Sequence, residues 1–122
     1  MRGGDRSALG LWGEQQAAAY LQERGHRLLA SRYRCREGEI DLVTAWEGYL
    51  CFVEVKLRKD ARLAQAREFV TRRKQEKLRL AALHYLIEHP SALQPRFDVV
   101  EVYAPCGAAT QTPVIRHWEN VF

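Results

Sequence analysis

Apolar and polar positions along this chain change their period several times, and each change marks an element. Between Leu9 and Arg24, Leu9, Trp12, Gln16 or Ala17, and Tyr20 or Leu21 recur at helical spacing. This spacing predicts a first helix, with Ser7 able to cap its start and Gly25 able to take the left-handed position that ends it. "HRLLASRY" then reads as a short strand, "CREG" as a polar turn, and "EIDLVTA" and "YLCFVEVKL" as two strands joined by a tight "WEG" turn. "RKDARLAQAREFV" shows no clean stripe and reads as an exposed loop. Thr71 is placed to cap a second helix from Arg72 to about Glu88, buried through Leu78, Ala81, Ala82, Tyr85 and Leu86. "RFDVVEVY" is alternating and β-branched, hence a fourth strand. "VIRHWENVF" reads as an added edge strand or a packed tail. The order α-β-β-β-α-β predicts an α/β fold, a mixed sheet flanked by helices, in one domain spanning residues 1–122.

The central hairpin breaks the apolar pattern in a specific way. Side chains alternate between the faces of a strand, so Glu39 and Asp41 share one face of the second strand. Glu54 and Lys56 share a face of the third with Phe52. A turn near Glu47 and Gly48 brings Asp41 close to Glu54. Two carboxylates in a half-buried site repel each other and lose hydration. A single ammonium, such as that of Lys56, leaves them net negative. A divalent ion resolves the conflict better, and all-oxygen ligation suits Mg²⁺ or Mn²⁺. Taken alone, Glu54 and Lys56 read more readily as a cross-strand salt bridge on an exposed sheet face than as catalytic groups.

Charge sharpens this picture. The net charge is +4, yet Lys56 to Arg79 carries ten Lys or Arg against three acids. A local basic concentration suits a polyanion such as nucleic acid. A solvated helix face is the alternative for the charge run by itself. Three cysteines at irregular spacing form neither a disulfide framework nor a zinc pattern, which points to reduced thiols in a cytoplasmic protein. No apolar run is long enough to span a membrane, and "MRGGDRSALG" lacks the apolar core of a signal peptide. His26, His84, His89 and His117 lack metal-ligand spacing and read as surface or boundary residues, and no phosphate-binding glycine motif occurs.

An Asp and a Glu-x-Lys on adjacent strands, inside α-β-β-β-α-β order, resemble the restriction-endonuclease-like nuclease superfamily. More narrowly, "LGLWGEQQAAAYL", "GEIDLV", "FVEVKLR", "VTRRKQEKLRLAALHYL" and "RFDVV" resemble the uncharacterised bacterial YraN family, itself similar to archaeal Holliday-junction resolvases. The resemblance implies Asp41 and Glu54 as metal-binding carboxylates, the Val55 carbonyl as a third ligand, and Lys56 as the motif lysine. It implies Glu14 as the first-helix acid completing the site, although a glutamate near a first turn also serves the helix dipole. Lys74 or Gln75 matches the polar residue of the second helix. Glu39 is a reserve ligand, and Asp98 reads as structural. The proline that leads the superfamily's Asp is replaced by Ile40. The implied activity is Mg²⁺- or Mn²⁺-dependent hydrolysis of phosphodiester bonds in DNA, branched or damaged DNA included. Arg58, Lys59, Arg72, Arg73, Lys74 and Lys77 would hold the backbone, and a homodimer is the implied assembly. The competing class is a non-catalytic module, either a double-stranded-RNA binder using "TRRKQEK" or an assembly partner. The RNA-binding reading leaves Asp41 and Glu54 without a task, and the assembly partner would be a nuclease fold that merely retains them.

Overall fold

The computed structural model describes residues 4–59 and 70–122, and the side chains of these from Ala8 onward. Helix α1 runs Gly4–Glu23, followed by strands β1 (Arg27–Cys35), β2 (Gly38–Trp46) and β3 (Tyr49–Arg58). Helix α2 (Arg72–Glu88) leads to β4 (Gln94–Tyr103) and β5 (Val114–Trp118). The expected α-β-β-β-α-β order is therefore present, and "VIRHW" resolves as a fifth strand. Helix α1 starts before Ser7, which sits inside it and not at its cap. The loop expected at 58–70 falls, for residues 60–69, outside the described residues.

The sheet order is β1-β2-β3-β4-β5, antiparallel throughout except for the parallel β3–β4 pair. Parallel neighbours need a crossover, and α2 lies within it. Alternation along β3 sends Phe52 into one apolar cluster with Leu78, Ala81, Ala82 and Tyr85 of α2. Cys51 and Val53 enter the other, with Ala17 and Leu21 of α1. The helices thus cover opposite faces.

One boundary of each helix has a clear local cause. At Gly25, φ is +95°, the left-handed conformation that ends α1. The Thr71 hydroxyl accepts the Lys74 amide and caps α2. The β2–β3 turn uses Glu47 and Gly48, both with positive φ, as a two-residue hairpin requires. All three cysteines are free. Among the described residues no helix is long and apolar enough to cross a membrane.

Candidate metal centre and basic cleft

The site forms where two strands separate. β2 and β3 pair from Trp46↔Tyr49 to Leu42↔Val53. One step further, the Val55 amide donates to Asp41 Oδ2 at 2.8 Å. A side chain thus takes an amide that a continuing ladder would have given to a carbonyl. β2 meanwhile stays with β1, through Tyr33↔Ile40 and Arg34↔Glu39. The opening between β2 and β3 is where an acid from α1 meets acids from the sheet. Carboxylate oxygens of Glu14, Glu39 and Asp41 all lie within 4.8 Å of one another.

Glu54 stands beside this triplet, buried at 6% exposure. Its Oε2 lies 2.7 Å from Lys74 Nζ and 3.5 Å from Lys56 Nζ. Two ammonium groups therefore hold the carboxylate that the sequence motif assigns to a metal. Among the described residues no cation is paired with Asp41. Burial and then the Glu54 charge push its carboxyl up to about 8, with Glu14 and Glu39 adding to the effect and the Val55 amide opposing it. Burial lowers the Lys56 ammonium, against the pull of Glu54. For Lys74 burial also acts downward, but the bond to Glu54 and its charge outweigh it and the net shift is upward.

A cleft of about 430 Å³ opens over these groups, lined by Glu39, Asp41 and Glu54 on one side and Arg73, Lys74 and Lys77 of α2 on the other. Arg72, Arg73, Lys77 and Lys59 are exposed. Arg58 is not placed with them. Its side chain is 11% exposed and its Nε lies 3.4 Å from the fully buried Glu101, so it belongs to the interior of the sheet and not to a backbone-binding surface. The reason is alternation: Glu101 on β4 faces the same side as Arg58 on β3 and needs a cation there.

The donor set suits a hard divalent ion. It is oxygen only, it is net negative before the lysines are counted, and one member is driven toward its neutral form when no cation is near. Glu39 moves from reserve to the centre of this set, a placement visible in its i, i+2 relation to Asp41. Arg32 was not singled out by any sequence pattern. Its Nε nevertheless donates to Glu14 Oε1 at 2.7 Å, and this bond is the main reason its guanidinium is held even further above its usual range. Asp98 lies elsewhere, gripped by Arg96 and His117. His26 departs from the surface or boundary role expected of it, being buried, whereas His117 keeps a boundary position. Both side chains are shielded, within that same network.

A family model described as Uncharacterised protein family UPF0102 matches residues 13–102, a span that holds every acid of the site. A UPF0102 protein of Nocardia farcinica is 40% identical over 122 residues, covering 99% of this chain and 94% of the relative. Another, of Methylococcus capsulatus, is 43% identical over 115 residues, with 94% and 93% covered. One from Lachnoclostridium phytofermentans is 45% identical over 93 residues, with 75% and 79% covered. With matches of this extent, the chain belongs to the uncharacterised family UPF0102, the YraN family that its motifs resemble.

Proposed function

We propose that this protein is a divalent-metal-dependent endonuclease acting on DNA. The observation that carries the reading is the carboxylate triplet beside a lysine-held glutamate, with Glu39, Asp41 and Glu54 lining a cleft whose other wall is basic. Asp41, Glu39 and Glu14 would hold Mg²⁺ or Mn²⁺, with Glu54 at their side. The bound ion would supply Lewis acidity and an activated water for attack on phosphorus.

The chain's own residues supply the remainder. Lys74 and Lys56 now neutralise Glu54, and Lys74, which lines the cleft, would offer its ammonium group to a phosphate oxygen entering there. Burial lowers Lys56, but a lysine paired with the Glu54 carboxylate is better suited to stabilising charge than to accepting a proton. Arg72, Arg73, Lys77 and Lys59 would track the backbone, which gives sequence-independent and salt-sensitive binding.

Calorimetric titration with Mg²⁺ and Mn²⁺, followed by cleavage assays on linear, nicked and four-way DNA, tests the proposal. Glu54→Ala is the control. Wild type should cut at least one of these substrates only with metal, and the variant should lose about two orders of magnitude or more in rate. Metal binding and DNA binding without cleavage of any substrate would favour the non-catalytic module.

A further inference from the structure

Arg32 is unusual in both backbone and side chain. Its φ of +51° lies in the left-handed region, which a long side chain rarely adopts inside a strand. It stands between Ser31, opposite Leu42, and Tyr33, opposite Ile40, so the position across from it is Asp41. From there its guanidinium reaches α1. Nε meets Glu14 Oε1 at 2.7 Å, and Nη2 passes 3.6 Å from where a Cβ on Gly10 would stand, one helical turn before Glu14. Helix α1 thus offers a bare surface beside the acid it presents. The Arg32 and Glu14 side chains are 29% and 12% exposed. Engaged in this way, the guanidinium is poorly placed to receive a phosphate.

The Glu14 carboxylate that Arg32 grips is the one clustered with Glu39 and Asp41. Resting on the metal reading above, we infer that Arg32 is a built-in counter-cation: it holds Glu14 against Glu39 and Asp41 while no divalent ion is bound, and competes with such an ion for those carboxylates. The sign follows from charge. A +1 group beside an anionic cluster stabilises the cluster when it is empty and repels any second cation. Lone pairs given to the guanidinium are also withdrawn from ligation. The fold can then tolerate its acids without metal, at the expense of affinity.

The test uses the full chain and Mn²⁺ as the probe, with binding followed by calorimetry at low salt. Arg32→Gln keeps a Cβ, so the backbone demand is unchanged while the charge goes. It should bind Mn²⁺ about tenfold more tightly than wild type, with the gain shrinking as salt rises, and Arg32→Lys should remain near wild type. Melting in EDTA supplies a second readout, independent of metal. Arg32→Gln should lower the midpoint, and the loss should fall by half or more in a Glu14→Gln background. Equal or weaker Mn²⁺ binding by Arg32→Gln would show that the guanidinium only positions Glu14, and overturns the inference while leaving the metal site intact. Additive melting losses overturn it as well. If wild type itself binds no Mn²⁺, the hydrolase reading falls and the competition falls with it, while the melting cycle still decides whether Arg32 balances the acids.

Discussion

Asp41 carries two roles that pull against each other. Its Oδ2 accepts the Val55 amide and so ends the β2–β3 ladder, a bond that favours the ionised form. Its surroundings of buried acids favour the neutral form. Exchanging the carboxylate for an amide separates the roles. The Asn oxygen can still accept from Val55, while the repulsion from Glu54, Glu14 and Glu39 disappears. In EDTA, Asp41→Asn should therefore melt higher than wild type by about 2–5 °C, on the order of 1 kcal/mol. In excess Mg²⁺ the order should reverse, because only wild type gains from the ion. Equal or lower stability of the variant in EDTA would mean that the acids are already compensated, and the case for a missing cation would weaken. Alanine at this position would be uninformative, since it also orphans the Val55 amide.

At the scale of elements, the site depends on how closely α1 approaches the sheet. Gly13, next to Glu14, sits against Leu57 of β3, and a Cβ there would lie 3.0 Å from Leu57 Cγ and Cδ2. Gly10 is less constrained, with its nearest atom at 3.6 Å. Both substitutions to alanine gain about 1 kcal/mol of helix propensity. Gly10→Ala should keep most of that gain. Gly13→Ala should lose it by pushing α1 off β3, and because Glu14 moves with the helix, the Mn²⁺-induced rise in melting temperature should shrink. Differential scanning fluorimetry with and without Mn²⁺ separates the two cases. Comparable shifts for both variants would show that the close approach has no bearing on the site. The elements themselves were legible in the sequence because each rests on local chemistry: alternation in β2 and β3, the Thr71 cap, the left-handed Gly25, the Glu47-Gly48 turn. The neighbourhood of Asp41 and Glu54 followed from hairpin register. The division of labour among the acids did not. It depends on where β2 leaves β3, on Lys74 reaching across from α2, and on an arginine in an uncommon backbone conformation. None of these leaves a periodic trace. Arg58 misled for the same reason: its basic neighbours suggested a surface, while the buried anion that claims it, Glu101, lies far off in sequence.

On the whole-molecule scale, the two ends of the sheet hold opposite kinds of charge arrangement. At the acid end, Glu14, Glu39 and Asp41 crowd together, and among the described residues no cation is paired with Asp41. At the other end the ions are closed upon themselves. Arg96 donates two bonds of 2.9 Å to Asp98, which also accepts from the Asn120 amide at 3.0 Å and lies 2.7 Å from His117 Nε2. His26 is packed against this group, its Nδ1 2.8 Å from the Thr44 hydroxyl and its ring stacked on Trp46. Burial raises Asp98, but the bonds from His117, Arg96 and Asn120 outweigh it and hold the carboxyl below its usual range. The stabilisation this gives is complete above pH 3.8 and is lost only in stronger acid. His26 behaves differently. Burial, then the proximity of His117, lower it below 6.5, with Arg96 acting in the same direction and Asp98 and Glu119 opposing. The folded chain keeps it neutral while the unfolded chain takes up a proton, so stability present above pH 6.5 is lost as pH falls through the folded value. Between pH 7 and pH 4.5 in EDTA, His26 should pull the melting midpoint down, while the raised Asp41 carboxyl, protonated in the folded chain, pulls it up. His26→Gln retains a partner for Thr44 without a titrating ring, so on acidification its midpoint should fall less, or rise more, than that of wild type while starting from a lower value at pH 7. An unchanged slope in the variant would show that His26 does not contribute to the pH dependence of the midpoint. The slope therefore measures which of the two charge arrangements governs the stability of the molecule.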